Sequence, residues 1–360
     1  MEKGITKEQS KALQGLAILM MLYHHLFSTP EALGVQYHSL LNIGGVNIEL
    51  RMAWFFKICV GIYAFVSGYG LAKSSATQSP SYDDSFGKIL FKDYKFVLKK
   101  LFSFFLQYWL VFILFVPIGF IFFGKPVVIS ELLLNLFGIS SSYNGAWWYV
   151  FQYMKMLLVF PLIDCFLMIY KNKSARRIWG IFYAVLFVAL IVVFMINKDV
   201  VFGALEFFQP AFFLCFIVGI VIARLKLYEL CSKILPEKLL YILGILGFIL
   251  VIAARVKIAK DASSAGLDFV FVPVFAFGFS VIVYMLPKVS DFFCFFGGLS
   301  TYMWLTHVFF YDHYAKKLVM CSKVSLGIYL TLVLLSAVSA LVLGKIYVLL
   351  RKGVSKISKN

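Results

Sequence analysis

A few side chains able to move protons or stabilise charge stand inside strongly apolar runs of this sequence. The first run reads Gln14-Gly-Leu-Ala-Ile-Leu-Met-Met-Leu-Tyr-His24-His25. The eleven steps from Gln14 to His25, at about 100° each, make three helical turns plus about 20°. Gln14, Ile18, Met21 and His25 therefore share one stripe, while His24 points about 100° away. Only one histidine of the pair can face a given interior. An imidazole can accept and return a proton near neutral pH, and ionisable groups in apolar runs are costly unless they face a polar interior. The plain alternative is that both histidines sit at a membrane interface.

Further along, Lys57, Gly61, Ala64 and Gly68 follow at steps of four, three and four. They form a face with a cation at one end and small residues below it. Small residues admit a neighbouring backbone, or a thin extended ligand, and Lys57 has the option of snorkelling outward. Asn144, Trp148, Phe151 and Lys155 share another face. An interfacial aromatic belt explains the tryptophans by default. Lys155, however, lies roughly nine residues deep, about 13 Å at about 1.5 Å per residue, so an anionic or ligand partner inside a bundle is expected for it. Pro161 is expected to kink the same helix. Ser300, Trp304 and His307 share a third face by i, i+4, i+7 spacing; a histidine bonded to a neighbouring helix is the structural alternative there. Glu206, Gln209 and Asp164 also stand in or beside apolar runs, with no role assignable. The sequence has no phosphate-binding glycine loop, nucleophile elbow, paired carboxylates or metal-ligand spacing. No metal is expected, and any catalysis falls to the imidazoles and cations above.

What must position these residues is a set of membrane-spanning helices. Apolar residues make up 62% of the chain and charged residues 14%, against about 45–50% and about 25% in soluble domains. A 360-residue soluble fold has too little interior to hide that excess. With about 20 apolar residues per crossing, ten spans are expected: 12–29, 52–72, 99–123, 146–170, 178–196, 207–223, 239–255, 268–287, 292–312 and 326–350. The fold class is thus all-α, a polytopic transmembrane bundle forming one domain over 1–360. The hydrophilic stretch Lys73–Lys100 reads as a single loop. Lys3, Lys7 and Lys11 before an apolar run resemble a secretory signal, but cleavage chemistry after His25 is poor, and a retained first helix is expected.

The net charge of +17 does not mark a nucleic-acid binder, because the basic residues are distributed through the gaps between apolar runs. On the side of the N-terminus these gaps carry 22 Lys and Arg, on the other side nine, with Lys57, Lys155 and Lys345 inside spans. Positive charge keeps loops in the cytoplasm, so both termini are expected there, in a multi-pass protein of the cell membrane. The six cysteines are scattered without a C-x-x-C pair, so buried free thiols are expected rather than a disulfide framework.

The order of these motifs resembles the acyltransferase-3 family of integral-membrane acyltransferases. Gln14 to His25 is similar to that family's Arg-Gly-…-His signature with ten intervening residues. Gly61-Ile-Tyr-Ala-Phe-Val-Ser67-Gly68-Tyr69 resembles its Phe-Phe-x-x-Ser-Gly-Phe/Tyr motif. Asn144-Gly-Ala-Trp147-Trp148-Tyr149 with Pro161 resembles the opening of its central helix. Leu299-Ser300-Thr-Tyr302-Met-Trp-Leu305-Thr-His307 resembles its late Ser-Tyr-x-x-Tyr-Leu-x-His signature. The chain departs from the pattern at Gln14, which replaces an arginine, with Lys11 one turn earlier as a possible substitute. It departs again at Lys99-Lys100, where the family usually has arginines; lysine contacts phosphate only as a point charge. No hydrolase-like extracellular domain is appended, so a stand-alone member is expected.

The resemblance implies transfer of an acyl group, expected to be acetyl, from acyl-coenzyme A to a hydroxyl of a saccharide or lipid-linked glycan. Acetyl-CoA enters as co-substrate, with no tightly bound cofactor, and the other partner is the lipid bilayer. His25 is the expected general base, with transient acylation of His25 as a second route. Gln14, Lys57, Gly61, Ser67, Gly68, Trp148, Lys155 and His307 are the expected donor- or acceptor-binding residues. Lys57, Trp148 or Lys155 would polarise the thioester or position the acceptor. Lys99 and Lys100, with Arg176, Arg177, Arg224 and Lys226, would attract the donor phosphates, and the pantetheine arm would run along the Gly61/Gly68 face. The alternative from another class is a multi-pass transporter or flippase of a glycan or lipid, which also uses intramembrane histidines and lysines.

Overall fold

A computed structural model describes residues 4–43, 46–76, 86–124, 126–169, 206–259, 261 and 265–357. The described residues are mainly helical, with one hairpin of two-residue strands, Asn42–Ile43 and Val46–Asn47, paired antiparallel. The described helices are α1 (Lys7–Phe27), α2 (Ile48–Phe56), α3 (Ile58–Ala76), α4 (Phe86–Phe122), α5 (Ile129–Leu136), α6 (Trp148–Ile169), α7 (Pro210–Leu225), α8 (Leu227–Ile234), α9 (Glu237–Ile258), α10 (Asp268–Met285), α11 (Pro287–Val308), α12 (Lys316–Val319) and α13 (Ser325–Ile357). Among the described residues seven helical stretches are long and apolar enough to cross a membrane, or eight counting α7 with α8, which bend by 51°. The expected span 178–196, with Arg176 and Arg177, lies outside the described residues.

Helix α1 starts at a capping box, in which the Thr6 hydroxyl accepts from the Gln9 backbone N–H at 3.2 Å and Gln9 Oε1 accepts from the Thr6 N–H at 2.8 Å. It is the hub of the bundle and packs against α2, α3, α10, α11 and α13. Outer helices present apolar residues to lipid, among them Ile113, Phe122, Leu250 and Leu349, each more than 60% exposed. That is the surface composition of a protein whose solvent is hydrocarbon.

Three boundaries differ from the sequence reading. The expected loop 73–100 is helical from Phe86, so Lys88, Lys92, Lys95, Lys99 and Lys100 stand on the first turns of the 37-residue α4; charge density hid a helical continuation of the span. The expected helix 52–72 is broken at Lys57, between α2 and α3. There the Trp54 carbonyl accepts from the Lys57 N–H at 3.3 Å and also from the Arg255 guanidinium at 3.3 Å. The expected helix 292–312 is longer, beginning at Pro287 and running on from Val308 into a π-helical segment, Phe309–Tyr314.

Candidate active site

The site is built on a close parallel crossing of α1 and α11. A Cβ added at Gly15 would stand 1.8 Å from the Phe293 carbonyl oxygen, and one at Gly297 would stand 1.9 Å from that of Lys11. Only glycine permits this approach. The two helices keep one register: Glu8 meets Ser290 at 3.2 Å and, with the same offset of 282 residues, His25 meets His307. Ten residues beyond the Gly15/Gly297 contact on both helices, the two imidazoles are hydrogen-bonded, His307 Nε2 to His25 Nδ1 at 2.9 Å. His307 Nδ1 lies 2.7 Å from the Trp304 carbonyl. A carbonyl only accepts, so His307 Nδ1 carries a proton. With both rings neutral, His307 Nε2 is then an acceptor, and His25 Nδ1 donates to it. That fixes the tautomer of His25 and leaves its Nε2 unprotonated.

His25 lines a cavity of about 130 Å³ together with Gln14, Lys57, Ser67, Trp148 and Ser300. Tyr63, Phe104, Tyr149, Tyr153 and Trp304 complete most of its wall. The stripe Gln14–Met21–His25 therefore faces one space, and His24 turns away to donate from Nδ1 to the Ala53 carbonyl at 2.7 Å. His307 stands behind His25, bonded to it. Lys57 reaches the cavity because it sits at the break between α2 and α3, with its ammonium 6.0 Å from the centre of the Trp148 ring. The last turn of α2 is pinned by three bonds: His24 to Ala53, Trp54 Nε1 to the Ser28 carbonyl at 3.0 Å, and Arg255 to the Trp54 carbonyl. Arg255 is held in turn by Asp268, Nε to Oδ1 at 2.7 Å, with both residues at most 2% exposed. Asn144 and Trp147 donate to the Leu305 carbonyl at 3.2 and 3.0 Å, and Trp304 Nε1 donates to the Ala146 carbonyl at 3.1 Å. These bonds seat the turn before α6 on α11 and so place Trp148.

Several expected site residues lie elsewhere. Gly61 and Gly68 do not line the cavity: a Cβ on Gly61 would meet Val272 and Cys215 at 3.0 and 3.2 Å, and one on Gly68 the Phe216 carbonyl at 2.1 Å. Protein from α7 and α10 fills that face, so a pantetheine path along it is closed. The lining residues of α3 are Val60, Tyr63 and Ser67, one residue round the helix. Lys155 also lies outside the cavity. It donates to the Phe207 carbonyl, and its ammonium is 4.8, 4.1 and 5.8 Å from the ring centres of Phe151, Phe207 and Phe208. Rings and a carbonyl thus stand where an anionic partner was expected. Arg224 binds Asp164 through two nitrogens and also the Ser75 hydroxyl at 2.6 Å, which spends the charge expected to attract donor phosphates. Lys99 and Lys100 are exposed, with Lys100 one turn before the lining residue Phe104.

Sequence reasoning passed over Tyr63, Phe104, Tyr149, Tyr153, Arg255 and Asp268. Arg255, counted as a loop charge, is the second member of a buried ion pair in α9. The tyrosines had a usable signal, since Tyr63 sits four residues before Ser67, but in a chain with 20 tyrosines it does not stand out. Tyr63 donates to the Gln14 carbonyl at 3.1 Å, tying α3 to α1 across the cavity. Among the described residues no three His, Cys, Asp or Glu side chains converge as a metal site requires.

The cavity thus lies inside a helical bundle and is walled by His25, a lysine and aromatic rings, with His307 bonded behind His25. The acyltransferase-domain model of the acyltransferase-3 family matches residues 9–349. The chain belongs to that family and is a membrane acyltransferase. No curated protein and no solved structure matches it.

Proposed function

We propose that the protein transfers an acyl group, acetyl in the simplest case, from acyl-coenzyme A to a hydroxyl of a saccharide or cell-surface glycan, with His25 as general base. The observation that carries this reading is the chain from the Trp304 carbonyl through His307 to His25. It leaves His25 with Nε2 as its proton acceptor, on a residue that lines the cavity. In the step proposed, His25 Nε2 takes the proton of the acceptor hydroxyl while that oxygen attacks the thioester carbonyl. The C–O bond forms, the C–S bond breaks, and the departing sulfur takes the proton back from His25. The imidazolium formed in between keeps its Nδ1–H bond to neutral His307. Lys57, stacked against Trp148, stabilises the negative charge that develops on the carbonyl oxygen.

Access for the donor lies beside Phe104 rather than along Gly61 and Gly68, because Lys100 stands one turn from that lining residue and the glycine face is filled. Lys99 and Lys100 attract the donor phosphates there, on the cytoplasmic side that the distribution of Lys and Arg assigns to both termini. Gln14 and Ser67 line the cavity and would contact the donor arm or the acceptor; His307 acts through His25.

The test is release of coenzyme A thiol, and of labelled acyl product, from acetyl-CoA by the purified full chain in detergent. Wild type is expected to turn over and His25→Ala to lose about 10²–10⁴-fold in rate while inserting and folding normally. Full activity in His25→Ala would sink the assignment.

A further inference from the structure

The groove between α11 and α13 lies on a different face of α11 from the catalytic cavity, and nothing in the proposed transfer uses it. Its volume is about 510 Å³, and its lining includes Gly298, Tyr302, Leu341, Gly344, Lys345 and Leu349. Two glycines open it. A Cβ on Gly344 would meet nothing within 4 Å, and one on Gly298 would meet only the Lys11 side chain, Cε at 3.1 Å and Nζ at 3.2 Å. The walls are apolar, and Leu341 and Leu349 are 42% and 68% exposed on a membrane-spanning helix.

Two cations make this more than a seam between helices. Lys345 lines the same groove, and neither it nor Lys11 has an ion-pair partner among the described residues. Lys345 lies seven residues before Lys352, where the span ends, about 10 Å along the helix. That is within reach of the headgroup level for a lysine side chain. An occupant must therefore bring negative charge for Lys345 and Lys11, and a long apolar chain for the groove.

We propose that this groove binds one anionic glycerophospholipid, in the leaflet at the lysine-bearing end of α13. Its phosphate lies against Lys345 and Lys11, and an acyl chain follows Leu341 and Leu349. The site is independent of the acyl-transfer reading.

Native mass spectrometry of the full chain, delipidated in detergent and titrated with phosphatidylglycerol or phosphatidylcholine of identical chains, tests it. Wild type is expected to retain one phosphatidylglycerol with about tenfold preference over phosphatidylcholine. Lys345→Gln is expected to abolish that preference. Gly344→Leu, at a position that lines the groove and where a Cβ meets nothing within 4 Å, is expected to exclude both lipids. Equal retention of the two lipids by wild type, or wild-type retention by Lys345→Gln, overturns the proposal. Displacement of the lipid by coenzyme A also overturns it and reassigns the lysines to the acyl donor.

Discussion

At the scale of single residues, the histidine pair divides its work unequally. His25 lines the cavity; His307 bonds to it from behind and fixes which nitrogen carries the proton. On the proposed reading His307 positions the base, and its replacements should separate geometry from packing. His307→Gln keeps an acceptor oxygen for His25 Nδ1–H, while His307→Phe keeps the volume without the acceptor. Phe is expected to lower kcat about 10²-fold and Gln distinctly less, with KM for acetyl-CoA and thermal stability unchanged in both. Equal losses in the two variants would reduce His307 to packing. Lys57→Met is expected to lower kcat by about 10²-fold, the effect of removing one donor to a developing oxyanion. Steady-state kinetics on purified protein checks both expectations. The spacing of Gln14 and His25 was readable as one stripe. The identity of His25's partner was not, because 282 residues separate the two histidines and periodicity along one helix is silent about its neighbours.

At the scale of elements, the groups proposed to react are held by helix–helix contacts remote from them. The α1/α11 crossing at Gly15 and Gly297 sets the register that brings the imidazoles together. Gly15→Ala drives a methyl into a backbone carbonyl and is expected to cost about 3 kcal/mol, the upper end of ordinary overpacking. Gly70→Ala, where a Cβ meets nothing within 4 Å, is the matched control and should be neutral. Thermal unfolding in detergent distinguishes them. The Arg255–Asp268 pair acts on α2 through the Trp54 carbonyl at the break where Lys57 projects. Arg255→Gln strands a buried carboxylate and is expected to destabilise by about 3–5 kcal/mol, with kcat falling in the fraction that stays folded. In sequence, Arg255 sits at the edge of an apolar run and counts as one more loop charge; only its pairing with Asp268 from the next helix reveals it as internal.

At the scale of the whole molecule, the distribution of basic residues assigns sides to the bundle, and two exposed free thiols allow the assignment to be tested. Cys231 lies in α8 and Cys321 in the turn before α13, both exposed. They fall on opposite sides if the termini are cytoplasmic. In variants retaining one cysteine each, a membrane-impermeant maleimide is expected to label Cys321 in intact cells and Cys231 only in inverted vesicles. The reverse pattern would invert the orientation and place donor access on the wrong face.

The amino-acid sequence alone determined that the solvent is lipid, that the elements are helices, roughly where most of them run, and which stripe of the first helix carries the histidine. Those properties follow from composition and from the helical period, both local to a segment. The tertiary structure alone decided which face of α3 lines the cavity, that Gly61 and Gly68 serve helix packing, that Lys155 is satisfied by rings and a carbonyl, and that His307 meets His25. Each of these depends on how one helix is rotated against another. Rotation is set by the closest backbone contacts in the bundle, and such contacts form between segments whose separation along the chain carries no periodic signal.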